Sequence, residues 1–256
     1  MPLASRRFGE TGPAVLILPG LFGSSRNWQG MARRLQDRYR VHAVDLRNHG
    51  NSPHAETMTY PAMAADVATL QDELGLDRAI VVGHSMGGKV AMWLALHRPE
   101  RVERLVVVDI APVPYPDRYT PYIDAMLALP LATLSSRQEA DHRLTAAIPD
   151  TVVRQFLLHN LVNEGGAFRW RVNLEVIRRN MAAIMGFPAP PAGHRYPGFA
   201  TFLRGEQSLA ITPRHHPAIA ALFPEHRIAT VPGAGHWPHT EQPEAFLDRL
   251  NAALAG

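Results

Sequence analysis

The chain has 256 residues and 46% apolar content, which fits one sizeable globular domain or one domain carrying an insertion. It has no cysteine, so disulfides, thiolate metal sites and a cysteine nucleophile are excluded. Its 26 basic and 23 acidic residues are interspersed rather than blocked, giving a net charge of +3 and arguing against nucleic-acid binding.

The first ten residues carry Arg6 and Arg7 but no apolar h-region, so no signal peptide is expected. No apolar run is long enough for membrane insertion, and a cytoplasmic location is the default. Ala14 to Leu18 (AVLIL) reads as a buried strand. It runs into the turn-rich loop Pro19-Gly20-Leu21-Phe22-Gly23-Ser24-Ser25 and then a helix over Met31 to Leu35. Arg40 to Val44 is the next strand, and a polar loop follows it from Asp45 to Ser52. A helix is expected over Tyr60 to Leu74, with Pro61 in its first turn and Gly75 closing it.

The stretch Ala79 to Ala95 (AIVVGHSMGGKVAMWLA) carries most of the functional information. Ala79 to Val82 is a short β-branched run, read as a buried parallel strand. Val90, Ala91, Leu94 and Ala95 then recur at helical spacing. Between them lies Gly83-His84-Ser85-Met86-Gly87, the G-x-S-x-G pattern of a nucleophile elbow. A sharp strand-to-helix turn brings neighbouring backbone very close, so glycine is needed on both sides of the serine. Ser85 is the expected nucleophile, exposed above the sheet edge at a helix N-terminus.

Arg104 to Val108 is a further strand ending at Asp109. From Pro112 to about Pro197 prolines at both ends bracket helical patterns with no strand run: Tyr122 to Leu129, Ser136 to Ala147, Thr151 to Leu161 and Asn173 to Met185, with Gly165-Gly166 as a turn. Strands resume at Phe199 to Leu203 and Arg227 to Val231, a helix follows Pro213, and Pro243 to Leu254 closes the chain as a helix. The expected architecture is α/β: a doubly wound, mostly parallel sheet formed by residues 1–111 and 198–256, with residues 112–197 inserted as a helical cap.

Serine needs a base, and thirteen histidines are on offer. His236 follows the last strand in a Gly-rich loop (GAGHWPH), downstream of the serine, which is the chain order of elbow hydrolases. His84 should point away from Oγ, and His215, His216 and His239 read as surface residues. The position where the acid usually stands, after the strand ending at Leu203, holds Ser208. Asp109 at the end of the preceding strand is the preferred acid, with Glu206 or a dyad helped by Ser208 as alternatives. The oxyanion donors of such a site are the amide after the nucleophile, Met86, and one from the loop after the first buried strand. Leu21 is assigned there, with Phe22 its nearest rival. Tyr115, Phe156, Leu157, Trp170, Met181, Met185 and Trp237 are candidates for an acyl pocket, and Arg118 and Arg171 for contact with an anionic leaving group.

Together PGLFGSSRNW, DLRNHGNSP, VVGHSMGGKVAM, VVVDIAPVPY, FLLHNLVNEGGAFRWRVNL and GAGHWPH resemble the α/β-hydrolase superfamily over nearly the whole chain. More narrowly they resemble small bacterial esterases of the YbfF type and a related mitochondrial group of abhydrolase-domain proteins. In that group the acid lies after the strand before the cap and a serine takes the usual acid position, a pattern that Asp109 and Ser208 match. Pro19 departs from the histidine many relatives carry there, a change in loop support rather than in the backbone donors. The resemblance implies hydrolysis of short to medium acyl esters, and of acyl thioesters. Serine chemistry of this kind needs no cofactor or metal, and a monomer or homodimer acting on a small molecule is expected. Carbon–carbon bond hydrolysis, cofactor-free haloperoxidation and non-catalytic ligand reception are alternatives on the same fold.

Overall fold

The computed structural model describes residues 1–255. The chain opens with β1 (Ser5–Phe8) and β2 (Ala14–Leu18), then a single 3-10 turn, Ser25–Trp28, leading into α1 (Gln29–Leu35). β3 (Arg40–Val44), α2 (Tyr60–Glu73), β4 (Ala79–His84), α3 (Met86–His97) and β5 (Val102–Val108) follow. The segment after β5 holds α4 (Thr120–Leu127), α5 (Arg137–Leu144), α6 (Thr151–Leu158), β6 (Leu161–Glu164), β7 (Ala167–Trp170), α7 (Leu174–Arg179) and α8 (Met181–Met185). β8 (Ala200–Gly205), α9 (His216–Leu222), β9 (His226–Val231), α10 (Pro238–Glu241) and α11 (Pro243–Ala255) complete the chain.

Seven strands form one sheet in the order β1-β3-β2-β4-β5-β8-β9. Every pairing is parallel except β1 with β3, which is antiparallel at the edge. Alternation along the central strands divides the core. Val15, Ile17, Ile80, Val82, Val106 and Val108 face the 3-10 turn, α1 and α11, where Trp28, Leu35, Phe246 and Leu250 cover them. Leu16, Leu18, Val81, Leu105 and Val107 face the other way, against α2 and α3. Ile123, Leu157, Leu161, Ile177 and Ile184 of the inserted segment join that second cluster, so the insertion packs on the same side of the sheet as α2 and α3.

Register sets the functional edge. His84 pairs with Val108, Val108 with Leu203, and Gly205 with Val231, so β4, β5, β8 and β9 end side by side. The residues just past those ends emerge at one place, the C-terminal edge where ligands collect in such sheets.

Two expectations are corrected. The inserted segment is not all helical: β6 and β7 form an antiparallel hairpin, Leu161 opposite Trp170. Gly165 and Gly166, at φ 61° and 90°, allow the tight reversal, and α6 ends at Leu158. The helix expected from Asn173 to Met185 is two, broken at Asn180, whose side chain accepts from the Met58 amide at 3.2 Å and donates to the Glu56 carbonyl at 3.1 Å. β1 lacks an apolar run and has no counterpart in the sequence reading.

Candidate active site

Ser85 stands between the last residue of β4 and the first of α3, with φ 51° and ψ −118°. Left-handed backbone at a non-glycine residue costs on the order of 1–3 kcal/mol, so the surroundings must impose it. They do so through backbone: the Ser85 amide donates to the Val108 carbonyl at 3.0 Å, and its carbonyl accepts from the Lys89 amide at 3.1 Å. Close approach explains the glycines. A Cβ on Gly83 would lie 2.3 Å from the Gly87 carbonyl oxygen, and one on Gly87 2.3 Å from that of Leu18.

Asp109 follows β5 as Ser85 follows β4, also at φ 51°, with its amide bonded to the Leu203 carbonyl at 2.8 Å. Its carboxylate is fully buried. Oδ1 accepts from the Gly205 amide at 3.0 Å; Oδ2 accepts from the Ser208 hydroxyl and from His236 Nδ1 at 2.7 Å. The Ser208 hydroxyl itself accepts from the Ala210 amide at 3.1 Å. With Nδ1–H directed at the carboxylate, His236 Nε2 presents a lone pair to Ser85 Oγ, 3.2 Å away. Glu206 is turned elsewhere and accepts from the Gly233 amide at 2.8 Å.

The loop after β2 is fixed from two sides. Phe22 has φ 62°, and its amide donates to His49 Nε2 at 3.1 Å. His49 in turn donates from Nδ1 to the Arg47 carbonyl at 2.9 Å, and burial pushes its pKa down to about 4, so it stays neutral as an acceptor. The Phe22 amide is thereby occupied, whereas those of Leu21 and Met86 have no hydrogen-bond partner among the described residues. From the inserted segment, Asn160 donates to the Phe22 carbonyl at 2.9 Å. Nothing in the sequence singled out His49 or Asn160 beyond their place in the DLRNHGNSP and HNLVNEGG stretches.

Behind the site lies a buried histidine pair. His84 donates from Nε2 to the His236 carbonyl at 2.8 Å, and burial, then the neighbouring His236 and His239, hold its pKa well below the usual value. His239 stacks on Trp28 at 4.1 Å, and burial pushes it down to about 3. His239 and His215 are buried, not surface residues; His216 is exposed. His239 is covered by the Trp28 and Phe246 rings, and its polar neighbours gave no periodic sign of that.

Two spaces meet at Ser85 and His236. One is a crevice of about 20 Å³ lined by Trp28, Phe156, Leu157 and His239; the other is a chamber of about 480 Å³ lined by Tyr60, Lys89, Ile110, Tyr115, Met185 and Ser208. Leu21 and Trp237 border both, and Met86 and Arg118 border the chamber. The Tyr115 hydroxyl accepts from the Ala111 amide at 2.9 Å and donates to the Ala210 carbonyl at 2.6 Å, and burial raises its pKa. Trp170, Met181 and Arg171 border neither space. The Trp170 indole donates to the Met126 carbonyl at 3.1 Å and its ring packs into the apolar cluster, as Met181 does. Among the described residues no group of three or more histidines, aspartates or glutamates is arranged to hold a metal ion.

A strand-turn-helix serine, a histidine in hydrogen-bond reach and a buried carboxylate can carry out acyl transfer. Known proteins point the same way. The model of the α/β-hydrolase fold family matches residues 13–243. The sn-1-specific diacylglycerol lipase of Mus musculus is 44% identical, covering 95% of this chain and 81% of its own length. Esterase YbfF of Escherichia coli is 36% identical over 94% of this chain and 92% of its own. Among solved structures, a marine microorganism esterase superposes with a TM-score of 0.95 at 36% identity, covering 98% of this chain and 99% of that one. This chain belongs to the α/β-hydrolase fold family.

Proposed function

We propose that the protein is a serine hydrolase of carboxylic esters. The observation that carries the reading is the relay from Ser85 Oγ through His236, at 3.2 and 2.7 Å, to the buried Asp109. Ser85 Oγ attacks the ester carbonyl carbon while His236 Nε2 takes its proton. The tetrahedral oxyanion is held by the amides of Leu21 and Met86, each worth on the order of 3 kcal/mol in kcat. Collapse breaks the bond to the leaving alcohol, which takes the proton back from Nε2. Water then attacks the acyl-enzyme in the same way and releases the carboxylic acid. Asp109 orients His236 and stabilises its charged form, and Ser208 supports Asp109. These steps call on no cofactor or metal.

Residues 1–111 and 198–256 act as the catalytic unit and residues 112–197 as the cap that shapes specificity. The chamber lined by Tyr115, Ser208 and Trp237 takes the acyl group, with room for short to medium chains of esters and acyl thioesters. No helix of the described residues is long and apolar enough to cross a membrane. A cytoplasmic monomer or homodimer acting on a small molecule is the reading we put forward.

The test is hydrolysis of p-nitrophenyl esters and matched thioesters, acetyl to palmitoyl, by the protein and by Ser85→Ala. Turnover of a subset, lowered 10⁴-fold or more by the substitution, is expected. Equal rates for the two proteins would overturn the reading.

A further inference from the structure

Lys89, the only lysine of the chain, lies one turn beyond Ser85 on α3 and borders the chamber. It is 2% exposed. Its ammonium donates to the carbonyls of Met185 at 2.9 Å and Gly186 at 2.6 Å, and stands 4.9 Å from the ring centre of Tyr115 and 5.7 Å from that of Tyr60. An ammonium has three N–H groups, so one donor remains. Among the described residues no carboxylate pairs with Lys89, and no aspartate or glutamate borders the chamber. The nearby phenols are already engaged, Tyr60 with the Ile184 carbonyl at 2.5 Å and Tyr115 with Ala111 and Ala210.

A buried cation without an anion is unfavourable, and carbonyl dipoles and ring faces offset only part of that: burial lowers the Lys89 pKa to about 7, and an anion beside it would hold it charged. Joining the cap to α3 through the Met185 and Gly186 carbonyls uses two of its three donors and supplies no counter-charge. Two further cations border the same chamber: Arg118 and Arg214 are exposed and form no ion pair among the described residues. Three basic side chains thus border one space whose lining includes no carboxylate.

We propose that the chamber carries an anion subsite that selects acyl groups ending in a second carboxylate, so that the preferred substrates are monoesters of dicarboxylic acids. Lys89 anchors that carboxylate through its free N–H, and Arg118 and Arg214 draw the anion to the entrance. The inference rests on the serine-hydrolase reading and names its substrate class. Lys89 is a specificity residue in it and takes no part in bond breaking.

The experiment compares kcat/KM for monomethyl glutarate and adipate with that for methyl pentanoate and hexanoate, by pH-stat titration of the acid released. The wild type should favour the charged ester at each length. Lys89→Met should lower the charged-to-neutral ratio by about tenfold or more, the size of a charge-assisted hydrogen bond, mainly through KM. Lys89→Arg should restore part of it. Because the ratio is internal to each variant, a general loss of folded enzyme cancels. Calorimetric titration of the wild type with adipate and hexanoate tests the subsite without any variant, and adipate should bind about tenfold more tightly. A ratio of one or less in the wild type, an unchanged ratio in Lys89→Met, or equal binding of the two acids would overturn the proposal. Failure to hydrolyse any of the four esters would instead count against the serine-hydrolase reading, while the titration would still decide the subsite.

Discussion

The two walls of the chamber are built in different ways. On the sheet side, Ser85 and Asp109 are placed by backbone alone. Each ends a strand at φ 51°, and each amide is held by a carbonyl of the next strand over, Val108 and Leu203. On the side of the inserted segment, apolar packing seats the segment and single polar side chains tie it to distant loops. Asn160 meets the Phe22 carbonyl, Asn173 donates to the Asn48 side chain at 3.2 Å, and Asn180 holds Met58 and Glu56. A geometry written into strand register cannot drift without disrupting the sheet. One held by individual side chains can be retuned residue by residue.

The sharpest way to break the comparison is at the strand end itself. Asp109→Asn keeps the shape but removes the charge that faces His236 Nδ1, and should lower kcat on the order of 10⁴-fold. Glu206→Gln, one strand over and bonded to a turn amide, should leave kcat within about twofold, the surface-like outcome. Steady-state assays of the two variants on one p-nitrophenyl ester, with circular dichroism to show folding, decide it. A large loss in Glu206→Gln alone would move the acid to the other strand.

The same division accounts for what could be read in advance. Strand β4, the glycines around Ser85 and the β-branched run ending at Asp109 are local patterns, and the left-handed turns they encode follow from steric crowding between near neighbours. β1 was not legible, because Ser5-Arg6-Arg7-Phe8 is a polar edge that pairs, among the described residues, with β3 alone. Neither was the β6–β7 hairpin, four residues a side, because Leu161 and Val162 continue the helical pattern before them. His49 and His239 look like any polar loop residue until tertiary packing buries them. Lys89 sits at a helical position with nothing in its neighbours to announce a chamber.

Those buried histidines give a second, smaller test on the sheet side. His49 and His239 are held neutral down to about 4 and about 3, whereas the unfolded chain takes up protons near 6.5. Between pH 6.5 and those lower values the unfolded state therefore binds more protons, and stability falls as pH falls. The slope is about 1.4 kcal/mol per pH unit for each histidine, a few kcal/mol in all for each. Urea unfolding from pH 7 to pH 4 should show the decline. His239→Phe, which keeps the stack on Trp28, should remove about one histidine's share of the slope. A slope unchanged by the substitution would mean that His239 already titrates normally in the folded protein.

The smallest expected effect tests the other wall. Asn160→Ala withdraws the donor from the Phe22 carbonyl, which is buried with Phe22 2% exposed. An unsatisfied buried carbonyl costs about 1–3 kcal/mol, so the unfolding free energy from urea titration should fall by that amount. The activity should respond by a different route. The carbonyl belongs to the loop that also carries the Leu21 amide, and a looser loop presents that amide less accurately to a developing oxyanion. We expect kcat to fall by about tenfold with KM little changed, the pattern of an interaction that strengthens in the transition state. Equal falls in Asn160→Ala and in a comparison variant such as Asn173→Ala, which meets Asn48 rather than the Leu21 loop, would show that cap attachment in general, and not this contact, supports the reaction. A fall confined to Asn160→Ala would show that the cap-side wall reaches the chemistry at one point, through Phe22.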